Sequence, residues 1–137
     1  MVEFALVLPL LLTLALGVLD FGKALNYWID ETHLANETAR WAAVNGAPCA
    51  TGSLQQCAAQ QADTPELRNN VSVCIVNPGS GGYLVGNPVQ VKVQYVYTWL
   101  PWFPRRLGFP TTTRIGSSAT MRLEANLVPG ADVGTCA

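Results

Sequence analysis

FALVLPLLLTLALGVL, residues 4–19, is a run of sixteen residues without a charge. As a helix rising about 1.5 Å per residue it is roughly 24 Å long, against a bilayer hydrocarbon core of about 30 Å. Met1-Val2 and Phe21-Gly22 extend it to spanning length and enclose Glu3 and Asp20. A secretory signal peptide needs a basic start and a small-x-small cleavage site. Here the run begins Met-Val-Glu and passes into DFGKALNYWIDE with neither feature. The helical pattern instead continues. Phe21, Ala24, Leu25, Trp28, Thr32, Ala35, Ala39 and Ala42 recur at three- and four-residue steps, an apolar stripe that ends in small residues. We expect Trp28 and Ala35 to be core residues, with Asp20, Lys23, Asp30, Glu31, Glu37 and Arg40 on the other faces. Asn45-Gly46-Ala47-Pro48 closes the pattern, with Gly at the C-cap and Pro blocking continuation. The spacing predicts one helix over residues 1–45, with an apolar half (1–22) and an amphipathic half (23–45).

Three residues of the apolar half stand out. Pro9 lacks an N–H and crowds the preceding turn, so a kink or a locally melted turn is expected there. Gly17 is the other residue of low helix propensity. Glu3 is a carboxylate beside sixteen apolar residues, costly unless solvated or paired. It is either an interfacial carboxylate at headgroup level or one that pairs with a neighbouring subunit's free α-amine when apolar helices pack together.

Residues 46–137 form a separate head. Cys49 to Cys57 encloses a short polar loop, AAQQADTPELR is weakly helical and broken at Thr64-Pro65, and NVSVCIV (70–76) alternates as a strand. In the next strand Val89, Val91, Val93, Tyr95, Tyr97 and Trp99 share one face. In a last strand, from about Thr112 to Leu127, Ser117, Ala119, Met121, Leu123 and Ala125 point inward. Strands joined by turns favour an antiparallel sheet packed on the amphipathic half-helix. The expected fold class is α+β, a long N-terminal helix on a small antiparallel sheet. Between the last two strands LPWFPRRLGFPTT holds Trp102, Phe103, Leu107 and Phe109 around Arg105 and Arg106. This loop either folds back over a sheet edge or contacts a neighbouring subunit or a membrane.

The four cysteines all follow residue 46, in neither zinc-ligand nor C-x-x-C spacing. An even count confined to the head suggests two disulfides in an oxidising compartment. Three connectivities are possible, and we favour Cys49–Cys57 with Cys74–Cys136. Catalysis finds no support, since there is no G-x-S-x-G, phosphate-binding glycine loop, H-E-x-x-H or Cys-His pattern. The single histidine, His33, reads as a solvated helix residue, and no cofactor or metal is expected. The chain has 137 residues, 8 Lys+Arg against 9 Asp+Glu, which is no basic footprint for nucleic acid. Charged residues are 12% of the chain, about half the roughly 25% of a soluble domain. The head is as charge-poor as the whole, with ten charged side chains in ninety-two positions, which suits repeated contacts between heads.

VEFALVLPLLLTLALGVLDFGKAL resembles the N-terminal signature of TadE-like proteins, pilin-like components of bacterial tight-adherence secretion and pilus systems. The ETARWAAVNGA helix end, the PVQVKVQYVYTWL strand with its proline-broken apolar loop, and the SSATMRLE strand are similar to that family as well. The resemblance implies a leader removed by a prepilin peptidase just before the apolar segment, and inner-membrane residence before assembly. It also implies a helical homopolymer with the apolar helices as its core, built by the pilus assembly machinery. Glu3, Phe4, Pro9 and Gly17 are then the assembly residues. Two departures are visible: no basic leader precedes Glu3, and Glu3 stands two residues earlier than the fifth-position glutamate of typical mature pilins. The sequence is therefore expected to be a mature or trimmed form, or to start at a misassigned residue. Lys23 alone would place the head inside. The cysteines place it outside, in the periplasm and then on an extracellular filament. The alternative is a minor pseudopilin, a single-pass membrane protein that primes or caps a filament of another subunit.

Overall fold

The computed structural model describes residues 2–46, 49, 52–79, 81–100, 108 and 110–127, apart from the side chains of Val2, Glu3, Ala5 and Leu6. The first helix, α1, runs Val2–Ala43 without interruption. Its end differs from the expected glycine cap. Asn45 takes the left-handed conformation (φ 51°). The Gly46 N–H bonds the Trp41 carbonyl at 2.9 Å, and the Asn45 N–H bonds the Ala42 carbonyl at 3.3 Å. This is a Schellman closure with Asn at the left-handed position, a residue whose short polar side chain tolerates that conformation.

Two short helices follow, α2 (Leu54–Gln60) and α3 (Pro65–Asn70), each started by a hydroxyl cap. Ser53 and Gln56 form a reciprocal capping box on α2, and the Thr64 side chain accepts from the Leu67 N–H ahead of a Pro at the first turn of α3. The helix therefore begins inside the expected Cys49–Cys57 loop, and a disulfide joins those two cysteines. The second expected bridge involves Cys136, which lies outside the described residues; Cys74 is no free thiol.

Three strands, β1 (Ser72–Val76), β2 (Pro88–Thr98) and β3 (Thr112–Arg122), make an antiparallel sheet in the order β1-β2-β3. The register sets Val73 opposite Val93, Val91 opposite Ala119 and Val89 opposite Met121. Val89, Val91, Val93 and Tyr97 are buried, as the alternation requires. This face packs on α1, and α2 and α3 close the flank at β1 and β2. The result is α+β, a long N-terminal helix lying on a small antiparallel sheet.

The buried face of α1 lies beside the expected one. Ala24, Tyr27, Glu31, Leu34, Ala35, Thr38, Ala39 and Ala42 are buried, as expected for Ala35. Trp28, expected in the core, is 49% exposed, and Phe21 and Leu25 are exposed with it. Tyr27 takes the aromatic place instead, edge-on to Tyr95 and Tyr97 at 5.4 and 5.7 Å between ring centroids. Asp30 and Glu31, expected on solvated faces, are both buried, whereas His33 is exposed as expected. The small residues Ala35, Ala39 and Ala42 let the sheet approach the helix closely.

Candidate functional site

The sequence singles out the apolar half of α1, and the structure leaves most of its described side chains exposed. Phe4 is 71% and Leu10 68% exposed, and Val7, Leu8, Leu11, Leu12, Leu14, Val18 and Leu19 are exposed too. Pro9 is exposed, and a Cβ at Gly17 would meet nothing within 4 Å beyond its chain neighbours and its own helix backbone. The helix continues through Pro9, so the turn there is not melted. Thr13 sends its hydroxyl back to the Leu10 carbonyl at 2.8 Å, so the one polar side chain of the run is satisfied within its own helix. The side chain of Glu3 lies outside the described residues, as do Trp102, Phe103, Leu107 and Phe109. Phe4, Pro9 and Gly17 are thus spread along the half of α1 whose described side chains are largely exposed.

The head holds the other half of α1 at both ends. At the C-terminal end the Ala43 carbonyl, which has no partner within the helix, accepts from the Glu124 and Ala125 N–H groups at 2.8 and 3.1 Å. At the other end stands Asp20, the first charge after the apolar run. Its carboxylate accepts from the Tyr97 hydroxyl and, at 3.0 Å, from the Leu100 N–H. Tyr97 also reaches the Asp20 carbonyl at 3.1 Å. Burial and the bonded Asp20 carboxylate raise the Tyr97 phenol well above its ordinary pKa, so it stays protonated and remains the donor. Asp20 to Ala43 as helix and the eleven residues of β2 as strand each measure about 35 Å. Strand β2 therefore matches the length of the amphipathic half, and the Leu100–Asp20 bond lies at the boundary with the apolar run.

Two acidic side chains inside this contact went unrecognised in the sequence. Asp30 accepts from the Asp63 N–H at 3.1 Å, so α1 fixes the turn that starts α3; burial raises its pKa while that bond lowers it. Glu31 is 0% exposed and neither carboxylate oxygen has a hydrogen-bond partner. Burial pushes its carboxyl up to about 7, with the charge of Asp30 adding in the same direction. At the surface, Tyr27 donates to Glu66 at 2.7 Å and Lys23 lies 3.9 Å from the same carboxylate, an exposed pair of small worth. Among the described residues no three His, Cys, Asp or Glu side chains gather into a metal site.

Chemically, the arrangement offers a largely exposed apolar half-helix continuous with a half packed on the sheet. Helix α1 is long and apolar enough to cross a membrane, and its most apolar stretch is almost wholly unburied. A soluble core helix would have that stretch covered. The family model described as TadE-like protein matches residues 1–40. This bears out the resemblance read from the helix signature, and the match ends within α1, short of the head. Comparison with curated proteins and with solved structures gives no match. The TadE-like helix and its exposed apolar half fit a membrane-anchored, pilin-like component of a tight-adherence pilus.

Proposed function

We propose that this chain is a structural, pilin-like subunit that polymerises through the apolar half of α1 into an extracellular filament. Before assembly the same half holds it in the inner membrane. The observation that carries this reading is the largely exposed run from Val7 to Leu19, joined without a break to a half-helix that the head grips at Asp20 and Ala43. Leaving lipid for a bundle of identical helices gains no hydrophobic energy, because lipid tails are as apolar as leucine. Association is driven by side-chain packing, which a smooth leucine-rich surface interrupted by Gly17 allows at short range. Glu3 enters such a bundle neutralised by the α-amine of the adjacent subunit. The Cys49–Cys57 disulfide supports a head on the oxidising side of the membrane. No catalytic step is assigned to the chain.

The test is recovery of sheared surface filaments from cells carrying the native chain or Glu3→Ala. The native chain should be a stoichiometric component of the filaments. Glu3→Ala should leave the head folded and oxidised but the filament fraction empty. Intact filaments from that variant would refute the pairing role of Glu3, and trace amounts of the native chain would assign it to priming or capping instead.

A further inference from the structure

Asp20 and Lys23 are the charges that end the apolar run in the sequence, and the structure turns both toward the head. Asp20 is bonded to Tyr97 and Leu100. Lys23 lies 3.9 Å from Glu66 on α3 and 5.5 Å over the Tyr27 ring. The next two charges along α1, Asp30 and Glu31, are buried on the head side as well. The opposite face of the helix therefore stays uncharged well beyond the run.

That outer face carries Phe21, Leu25, Trp28 and Ile29, each between 43 and 56% exposed. Their three- and four-residue steps continue those of Leu14 and Val18, which are exposed too, so one stripe passes from the apolar half into the amphipathic half. Asn26 is the polar exception beside it. The Thr32 hydroxyl bonds the Trp28 carbonyl at 2.8 Å and so is satisfied within the helix. Polar side chains take over the exposed surface at His33, Asn36, Glu37 and Arg40.

The lengths identify what covers this stripe. Residues 4–19 measure roughly 24 Å as helix, short of the ~30 Å hydrocarbon core. On the outer face the uncharged surface runs from residue 4 to residue 29, about 39 Å, which spans that core and enters the headgroup layer beyond it. Trp28 stands about 36 Å from Phe4 along the axis, at the level where tryptophans concentrate in membrane proteins. On the head side the polar boundary comes earlier, at Asp20, about 12 Å below Trp28. A boundary that is low on one side of a helix and high on the other fits a tilted helix, and spanning helices are commonly tilted.

We propose that α1 leaves the bilayer obliquely before assembly, with its outer face from Phe21 to Ile29 lying against lipid, Trp28 at headgroup level, and the head held above that face. Phe21 and Leu25 complete the hydrophobic span that the run alone leaves short, and the head shields Asp20 and Lys23 from the lipid. The proposal rests on the reading of α1 as a membrane anchor.

The experiment places the full chain in phosphatidylcholine vesicles whose acyl chains are brominated close to the glycerol backbone. Tryptophan emission is quenched by the bromolipid from within the bilayer and by iodide from the water. Trp28→Phe should remove roughly half or more of the bromolipid-quenched emission and little of the iodide-quenched emission, as loss of an interfacial tryptophan requires. In that background Leu25→Trp should restore the bromolipid quenching. Asn36→Trp, on the same exposed face about 16 Å further along, should answer to iodide instead. Resistance to alkaline carbonate extraction is measured on the same vesicles. A resistant chain whose Trp28 answers only to iodide would overturn the lipid contact and leave the anchor standing. A resistant chain whose Trp28 answers to neither quencher would overturn it in favour of a second copy covering the stripe. A chain extracted by carbonate would overturn the anchor as well.

Discussion

Glu31→Gln should make the head more stable in mildly alkaline solution and change little in mildly acidic solution. Glu31 is fully buried with both oxygens unpartnered, so the folded chain favours its neutral form, with a pKa of about 7 against 4.5 for the free side chain. Between those two values the folded chain keeps a proton that the unfolded chain has lost. The stability of the protonated form is therefore complete below about pH 4.5 and is lost as the pH rises through about 7. Once both states are ionised, the accumulated cost is about 3 kcal/mol. Glutamine keeps the shape and removes the charge, so it should recover most of that cost, offset in part by its own unsatisfied amide. For a chain of this size the gain corresponds to a rise in Tm on the order of 10 °C at pH 8.5. At pH 5 the two proteins should melt within a few degrees of each other. The assay is thermal melting of the full chain in a nonionic detergent, followed by near-ultraviolet circular dichroism. The edge-to-face cluster of Tyr27, Tyr95, Tyr97 and Trp99 reports on the helix–sheet contact. Parallel pH profiles for the two proteins, or a lower Tm for the variant at pH 8.5, would refute the assignment of an unpartnered buried carboxylate.

Two further substitutions probe the contact between helix and head. Ala39→Leu puts a large side chain where the sheet meets a fully buried alanine, and should cost about 1 to 3 kcal/mol in the same melting assay, by overpacking. Cys57→Ser removes the bridge to Cys49, which closes a loop of sequence separation 8; the expected loss is about 2.5 kcal/mol by loop-entropy arguments. Non-reducing peptide mapping of the native chain should recover Cys49 linked to Cys57 and Cys74 linked to Cys136.

The helix was legible almost to the residue, because an uncharged run followed by a repeating stripe has one low-cost solution. Which face it buries was less so. Phe21, Leu25 and Trp28 make a stripe at the same spacing as Ala24, Tyr27 and Leu34, and apolarity alone cannot choose between adjacent stripes of one period. The choice was further biased by Asp30 and Glu31, which were read as marking a solvated face although both are buried. A short-range signal for Asp30 exists only in three dimensions, in its bond to the Asp63 N–H thirty-three residues away. The faces of β2 were plain, since strict alternation over eleven residues fixes them. The start of α2 was legible in principle: Ser53-Leu54-Gln55-Gln56 is a capping-box sequence hidden within what looked like a disulfide loop. Asp20 was visible as the end of the apolar run. Its bonds to Tyr97 and Leu100 join residues some eighty positions apart, which no local pattern encodes.

The central claim is that the apolar half of α1 leaves lipid and packs against copies of itself. Photo-crosslinking from position 14, with Leu14 replaced by a photoreactive phenylalanine, tests it directly, since Leu14 is exposed in the middle of the apolar run. Membrane-held chains should crosslink to lipid, and chains in sheared filaments should crosslink to other copies of this chain. Filament-bound chains that crosslink from position 14 to a different protein, or not at all, would contradict the account.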